Sequence, residues 1–192
     1  MKYEPHDPYF RRAKAEGYLA RSVYKLMELD KRYRLFWRGM RVVDLGAAPG
    51  SWTQYLVQRY GPDVTVWAFD LKPLLYSAPQ VTFYQLDVQS PEVEAYLLPG
   101  QWDAVLSDMA PSTSGHRVTD QARSAALVER SLELAEKALG PKGVWVAKLL
   151  EGPDREALVQ KARRLFVEVF VFRPESTRKG STECFLVGRQ RR

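Results

Sequence analysis

The feature that most constrains this chain is a strand, a loop of small residues and a helix over residues 41–60. Residues 41–45 are rich in β-prone, apolar side chains, and residues 46–50 are small. Apolar side chains then recur at helical spacing over residues 52–60, and Gly61-Pro62 ends the pattern. This order of elements opens the nucleotide-binding α/β domains. The glycines let the backbone turn tightly and approach a ligand with no Cβ in the way.

The loop spells Asp44-x-Gly46-x-x-Pro49-Gly50 and not Gly-x-Gly-x-x-Gly. A dinucleotide loop leaves helix N–H groups free for a pyrophosphate. Here Asp44 and Pro49 stand where a cationic, phosphate-free cofactor would lie. The loop therefore favours S-adenosylmethionine (SAM) over NAD, with an ordinary βα turn as the alternative.

Aspartates end three further predicted strands. The strands cover residues 64–70, 81–85 and 102–108, and the carboxylates are those of Asp70, Asp87 and Asp108. Asp70 could accept hydrogen bonds from both ribose hydroxyls of an adenosine, and Asp87 could accept one from the adenine amine. Any one of them could instead cap a helix or form a turn. Their recurrence predicts a ligand site at the carboxyl edge of a parallel sheet.

A lysine interrupts a predicted strand at residues 143–150 that is otherwise apolar. Lys148 stands among valines, leucines and a tryptophan, and a lysine inside a buried strand is uncommon unless it is paired or functional.

The pattern also predicts a helix capped by Asp120 that runs to about Leu139, and a second helix over 154–166. Strands over 167–172 and 184–187 follow and form a hairpin.

The two ends of the chain are basic, although its middle is mildly acidic. Residues 1–38 carry ten Lys or Arg against five Asp or Glu, and residues 173–192 carry six against two. The N-terminal stretch is predicted to form two helices, of which Asp7-Pro8 caps the first and Ser22 the second. This distribution predicts contact with nucleic acid, with solvated surface charge as the alternative. The candidate RNA-binding residues are Arg11, Arg12, Lys14, Arg32, Arg34, Arg178 and Lys179.

Composition excludes several other classes. No apolar run approaches the roughly 20 residues of a membrane span, and the first residues lack the apolar core of a secretory signal. A single cysteine, Cys184, excludes an internal disulfide, and with two histidines no metal cluster is visible. We therefore expect a cytoplasmic protein with no membrane and no metal, and we expect it to be a monomer.

Four motifs together resemble the FtsJ/RrmJ family of SAM-dependent ribose 2′-O-methyltransferases. They are Asp44-Leu-Gly-Ala-Ala-Pro-Gly50, Ser107-Asp-Met-Ala-Pro111, Val146-Ala-Lys148 and Ser181-Thr-Glu183, and the resemblance spans nearly the whole chain. It implies a Rossmann-like α/β fold with a seven-stranded, mostly parallel sheet, an antiparallel last strand and helices on both faces. Residues 1–192 would form a single methyltransferase domain with a basic helical extension at 1–38.

The resemblance also implies roles for individual residues. The family's catalytic set falls on Lys25, Asp108, Lys148 and Glu183, with Lys148 as general base. Its substrate would be RNA, foremost a uridine of 23S ribosomal RNA within the large ribosomal subunit. Cofactor contacts are expected from the loop and the strand ends, namely Asp44, Gly46, Ala47, Pro49, Gly50, Trp52, Asp70, Leu71, Asp87, Val88 and Asp108.

The chemistry of ribose methylation suits these residue types. A ribose hydroxyl must lose its proton as the methyl group arrives, and a neutral lysine can accept that proton. Burial and a second ammonium, supplied by Lys25, lower the pKa of a lysine, whereas Asp108 and Glu183 act in the opposite direction and orient both amines. Transfer-RNA ribose methylation and a non-catalytic SAM-binding RNA chaperone or ribosome-assembly factor are the alternatives.

Overall fold

A computed structural model describes residues 7–97, 99–112 and 114–192. The first six residues of the predicted N-terminal extension, together with Leu98 and Thr113, lie outside the described residues. Seven strands form one sheet in the order β3-β2-β1-β4-β5-β7-β6. The strands are β1 (Arg41–Leu45), β2 (Thr65–Asp70), β3 (Val81–Gln85), β4 (Trp102–Ser107), β5 (Leu139–Leu150), β6 (Phe166–Phe172) and β7 (Glu183–Arg191).

The sheet is parallel except at its last strand. Strands β1 to β5 pair in parallel, and β7 pairs antiparallel with both β5 and β6. The predicted sheet and its antiparallel last strand are confirmed. From β1 the chain continues outward through β2 and β3, and then returns to the other side of β1 as β4. The strand order therefore reverses between β1 and β4, where open α/β sheets bind ligands at their carboxyl edge.

Helices cover both faces of the sheet, as predicted. Leu26 and Leu29 pack with Leu56 and Val146 on one face, and Val128 and Leu158 pack on the other. The first face is covered by α2 and α3, and the second by α5 and α6. The six helices are α1 (Pro8–Ala15), α2 (Val23–Tyr33), α3 (Ser51–Tyr60), α4 (Glu92–Tyr96), α5 (Arg117–Ala138) and α6 (Arg155–Leu165).

Helix α2 belongs to the main core and not only to the N-terminal extension. Its Val23, Leu26 and Leu29 have no exposed surface, and they lie in one cluster with side chains of β1, β4 and β5. Full burial of a Val or Leu side chain stabilises a fold by about 1.5–3 kcal/mol. Helix α2 is therefore fixed firmly against the sheet.

One of three predicted helix caps is confirmed. The Asp7 carboxylate accepts hydrogen bonds from the backbone of Tyr9 (3.0 Å) and Phe10 (3.2 Å), as the Asp-Pro pattern predicts. Ser22 makes no capping bond, because its hydroxyl lies 2.9 Å from that of Ser51 on α3. Asp120 lies inside the first turn of α5, which begins at Arg117, and accepts from the Ser114 backbone and hydroxyl.

Two strands extend beyond their predicted ends. Strand β5 begins at Leu139 because Trp102 of β4 pairs with that residue, so Gly140-Pro141 lies within the strand. Strand β7 continues to Arg191, which pairs with Phe166. None of the described helices is long and apolar enough to span a membrane.

Candidate functional site

The loop after β1 is built around two glycines that no other residue could replace without rearrangement. Gly46 has φ +72°, and a Cβ there would lie 2.7 Å from Met109 Cγ. Gly50 has φ +115°, and a Cβ there would lie 2.9 Å from Tyr76 Cβ. The backbone N–H groups of Gly46 and Ala47 donate to the carbonyl of Phe69 at 2.8 and 3.2 Å. The loop is thereby held against the end of β2.

Asp44 lies beneath the loop and does not face open space. Its side chain has no exposed surface, and Oδ2 accepts a 2.7 Å hydrogen bond from the Thr53 hydroxyl of α3. Burial raises the pKa of Asp44 to about 7, with further contributions from the Asp108 and Asp70 carboxylates, while the Thr53 bond lowers it. The other oxygen, Oδ1, is buried and has no hydrogen-bond partner among the described residues, and the contact of Asp44 with a cofactor stays a prediction.

Trp52 also lies within the fold. Its ring is 2% exposed and packs 5.9 Å from the ring of Phe185, and its Nε1 donates to the Ser22 carbonyl at 2.9 Å. Trp52 therefore joins α3 to β7 and to the turn before α2. Its ring thus supports the loop of Gly50, and the predicted cofactor contact of Trp52 stays a prediction.

Asp70 presents a half-exposed carboxylate at the end of β2. Its Oδ2 accepts from the backbone of Ala48 at 2.9 Å, and its Oδ1 accepts from that of Lys72 at 2.8 Å. Each oxygen has a second lone pair free, so the carboxylate can accept two further hydrogen bonds from vicinal hydroxyls. Beside it, Leu71 is 65% exposed, and Pro49 accepts a 2.9 Å bond from Leu75.

Asp87 lies on the turn after β3, where Arg130 holds the backbone in place. The exposed Asp87 carboxylate accepts from Gln89 N at 2.9 Å, and the neighbouring Val88 is buried. Arg130, from α5, donates to the carbonyls of Val88 at 3.0 Å and Ser90 at 3.1 Å. This role of Arg130 was not predictable from sequence, because an arginine on an amphipathic helix resembles any surface arginine.

Lys148 is buried and paired with Asp108. Its Nζ donates to the Asp108 carbonyl at 2.6 Å and to Asp108 Oδ1 at 2.8 Å. Asp108 directly follows β4, and its backbone N–H donates to the Leu45 carbonyl at 3.2 Å. The lysine is thus held by a residue from the neighbouring strand end, as its position in an apolar strand suggests.

Lys25 and Glu183 form a second ion pair. Lys25 Nζ, near the start of α2, lies 2.5 Å from Glu183 Oε1, at the start of β7, and their side chains are 14% and 12% exposed. Lys148 pairs with Phe185, and Leu150 pairs with Glu183, in the antiparallel register of β5 and β7. Lys148 and Glu183 are thus diagonal neighbours on one face of the sheet, a relation in which the two residues typically lie about 7–8 Å apart. The four predicted catalytic side chains meet at this carboxyl edge as two ion pairs.

The loop between β6 and β7 is tied to the N-terminal region. Glu28 accepts from the backbone of Glu175 at 2.6 Å and of Ser176 at 3.0 Å, and Arg21 donates to the Ser176 carbonyl. These contacts fix the segment that leads into Glu183. Sequence reasoning missed both residues, since their partners lie about 150 positions away.

The predicted RNA-binding residues fall into two groups. Arg178 Nε lies 3.5 Å from the Asp7 carboxylate at the start of α1, so the basic residues of α1 and of the β6–β7 loop lie near the catalytic edge. Arg12 also pairs with Glu16 at 2.7 Å and lies over the Tyr24 ring. Arg32 and Arg34, in contrast, lie at the far end of α2. The first group comprises Arg11, Arg12, Lys14, Arg178 and Lys179.

A family model of the FtsJ-like methyltransferases matches residues 18–191 of this chain. The chain belongs to the FtsJ-like methyltransferase family. It is 48% identical over 191 residues to the ribosomal RNA large subunit methyltransferase E of Syntrophobacter fumaroxidans, covering 98% of this chain and 97% of that protein. The protein of the same name from Sorangium cellulosum is 46% identical over 191 residues, with 99% and 90% covered.

Solved structures confirm the fold. A crystal structure of a ribosomal RNA methyltransferase from Plasmodium falciparum superposes with a TM-score of 0.79 at 24% identity, covering 91% of this chain and 98% of that one. Human methyltransferase-like protein 13, in complex with SAH, gives a TM-score of 0.57 at 16% identity, covering 79% and 72%. This FtsJ-like protein is thus a methyltransferase, and SAM is its cofactor.

The site geometry fits SAM. An adenosine needs a hydroxyl-binding carboxylate at the end of β2, and Asp70 offers one with free lone pairs beside the glycine loop. Within the described ranges, no group of three or more His, Cys, Asp or Glu side chains is placed to hold a metal ion.

Proposed function

We propose that this protein methylates a ribose 2′-hydroxyl in RNA, with a uridine of 23S ribosomal RNA in the large subunit as its target. The observation that carries this proposal is the presence of two largely buried lysine–carboxylate pairs at the carboxyl edge of the sheet. The printed names of relatives that cover nearly the whole chain support the RNA substrate. We further propose that the chain acts as a monomer, as one methyltransferase domain, in the cytoplasm.

Residues around the glycine loop would hold the cofactor. Asp70 would accept from the ribose hydroxyls, Asp87 from the adenine amine, and the apolar Leu71 would lie against the adenine. Gly46 and Gly50 would give the loop the shape that this binding needs, since a Cβ at either position would collide with Met109 or Tyr76. SAM bound there would supply a methyl group carried on a positively charged sulfur.

Lys148 is the proton acceptor in this proposal. A neutral amine has two N–H donors and one lone pair. The Lys148 amine donates to two oxygens of Asp108, the carbonyl and Oδ1. With both donors engaged, the lone pair points away from Asp108 and is free for the proton of a ribose hydroxyl. A base that is positioned in this way typically contributes about 10²–10⁴-fold to a rate.

Lys25 and Glu183 would position the substrate next to that base. Lys25 Nζ forms an ion pair with Glu183 Oε1, and its ammonium has three N–H donors that can contact the hydroxyl oxygen or the adjacent phosphate. A fixed ammonium near the oxygen stabilises negative charge that develops as the proton leaves. Glu183 keeps Lys25 in place and offsets its charge in a largely buried setting.

The proposal is tested by alkaline digestion of methylated RNA. The protein is incubated with methyl-labelled SAM and either large ribosomal subunits, free 23S RNA or transfer RNA. Since the 2′-hydroxyl is the nucleophile in alkaline cleavage, a methylated ribose yields alkali-stable dinucleotides. We expect label in such dinucleotides from the large-subunit RNA. Label in mononucleotides would mean base methylation, and label confined to transfer RNA would make transfer RNA the substrate.

A further inference from the structure

Three residues with unusual backbone conformation line one cavity. Within the described part of the chain, the non-glycine residues with positive φ are Arg34 (50°), Lys142 (67°) and Gln190 (58°). All three line a cavity of about 560 Å³. A left-handed conformation costs a residue with a Cβ free energy that glycine avoids. Arg34 adopts this conformation as the C-cap of α2, whereas Lys142 and Gln190 adopt it within β5 and β7.

The cavity lies at the amino edge of the sheet, opposite the methyltransferase site. Asp103, near the start of β4, lines it together with Val144, which pairs with Ala104 of β4, whereas Asp108 and Lys148 lie toward the carboxyl ends of the same two strands. Five residues of strand separate Asp103 from Asp108, which is about 16 Å at 3.3 Å per residue. Helix α2 spans this distance, since Lys25 lies at one end and Arg34 caps the other.

The cavity is positively charged. Arg34 and Lys142 are exposed, and no ion pair among the described residues involves either. Arg189 also lines it and lies 3.2 Å from Glu168. Asp103 is the acidic residue of the lining, and its Oδ2 already accepts from the Arg41 backbone at 2.7 Å. An anion would therefore find two cations here that are not already neutralised.

A flat aromatic surface adjoins these cations. Trp37 lines the cavity and is 46% exposed, whereas Phe36 is buried and Tyr33 stacks on Phe170 at a centroid distance of 4.8 Å. The neighbouring aromatics thus belong to the packing, and Trp37 is the one open to a ligand. Base stacking on an aromatic side chain beside phosphate-binding cations is the usual way in which proteins hold single-stranded nucleic acid.

We propose that this cavity binds a nucleotide of single-stranded RNA, with the base against Trp37 and the phosphate between Arg34 and Lys142. Its volume lies within the range of about 300–1,000 Å³ found for small-ligand sites. The inference rests on the proposed function in that the ligand is RNA. It adds a second contact, about one strand length from the reacting ribose, which would fix the direction of the bound RNA.

Tryptophan fluorescence measures this binding directly. Three of the five tryptophans, Trp52, Trp102 and Trp145, are buried, so quenching by an added ligand reports chiefly on Trp37. We expect a twelve-nucleotide oligouridine to quench the wild-type protein and to leave Trp37→Phe largely unquenched. Uridine monophosphate should quench only at much higher concentration, and polyglutamate, which has no bases, should not quench at saturating concentration.

Replacement of Lys142 by glycine removes its charge without adding strain to the backbone. Lys142→Gly should lower oligouridine affinity and flatten its salt dependence by about 0.7 in log–log slope, the value for one phosphate contact in single strands. Its melting temperature should stay the same or rise, because glycine relieves the left-handed conformation. Arg164→Ala, which removes an exposed arginine from α6, is the matched control and should leave the oligouridine slope unchanged.

Several results would overturn the assignment. They are full quenching of Trp37→Phe, tighter binding of uridine monophosphate than of oligouridine, equal quenching by polyglutamate, or an unchanged slope in Lys142→Gly. The wild-type protein is assayed for RNA methylation in parallel. If it methylates RNA but oligouridine leaves Trp37 unaffected, the cavity assignment fails alone. If quenching behaves as expected but no RNA is methylated, the proposed function fails and the cavity remains a nucleotide site.

Discussion

Replacement of Lys148 should abolish methyl transfer while the fold and both binding steps persist. The amine makes two hydrogen bonds, to the carbonyl and to Oδ1 of Asp108. Lys148→Ala removes both and leaves a carboxylate whose side chain is 19% exposed, so water can partly replace the lost partner. We expect the free energy of unfolding to fall by about 1–3 kcal/mol, the usual cost of an unsatisfied partner.

The rise in the activation barrier for methyl transfer should exceed the loss in the free energy of unfolding. Loss of a positioned base costs about 10²–10⁴-fold, which corresponds to about 3–5.5 kcal/mol in the barrier. Lys148→Arg should be nearly as inactive, because a guanidinium can bond Asp108 but does not deprotonate in proteins. The assay is a single-turnover measurement at saturating SAM and RNA, with calorimetry of SAM binding on the same variants.

Lys161→Arg is the matched control, since Lys161 is an exposed lysine on α6 that pairs with Glu129. It should keep the wild-type rate. A near-wild-type single-turnover rate for Lys148→Arg would refute the reasoning, because Lys148 would then act only as a positioned cation. Water or another group would have to accept the proton.

Three further predictions concern the cofactor, the buried carboxylate and RNA. Asp70→Ala should weaken SAM binding by about 1.5–3 kcal/mol, the value for hydrogen bonds to a charged group; unchanged calorimetric affinity would contradict the ribose assignment. Because the raised pKa of Asp44, about 7, makes its ionisation unfavourable in the folded state, wild-type stability should fall between pH 5 and pH 7. In urea unfolding, the free energy of unfolding of Asp44→Asn relative to that of the wild type should therefore rise by about 3 kcal/mol from pH 5 to pH 8; an equal difference at both pH values would disprove this. Replacing Arg11, Arg12 and Lys14 by alanine should weaken RNA binding and flatten its salt dependence with SAM affinity unchanged; normal binding across a salt titration would remove α1 from the RNA surface.

The parts of the site that were predictable from sequence are those with a local signal. Lys148 stands out because it interrupts an apolar strand, and the strand-end aspartates recur at Asp70, Asp87 and Asp108. The glycine loop is equally local, because left-handed backbone at Gly46 and Gly50 demands residues without a Cβ. These features follow from rules that act over a few residues, and the structure has them at the predicted positions.

The parts that were not predictable depend on partners distant in sequence. Ser22 would cap a helix in isolation, but the fold brings Ser51 to its hydroxyl. Trp52 directly follows the glycine loop, and its ring packs on Phe185, more than a hundred residues away. Asp44 has the same side chain as Asp70 but is fully buried, and its carboxylate accepts a hydrogen bond from Thr53. No local pattern distinguishes a carboxylate that faces the ligand from one that supports the loop beneath it.

The same limitation applies to the basic surface. Sequence composition predicted one nucleic-acid-binding set, whereas the fold puts α1 and the β6–β7 loop near the catalytic edge and Arg34 at the opposite edge. Helix α2 connects the two regions, because Lys25 lies near its start and Arg34 at its end. Only the packing direction of α2 against the sheet decides which cation lies beside which edge.

The central claim is that this protein methylates a ribose of large-subunit ribosomal RNA. The most direct test is nucleoside mass spectrometry of 23S RNA from cells with and without the protein. The account predicts that cells without it lose one 2′-O-methyluridine per 23S RNA, and that the wild-type gene restores it while the Lys148→Ala gene does not. An unchanged 2′-O-methyluridine content, or the loss of a base methylation in its place, would contradict the account.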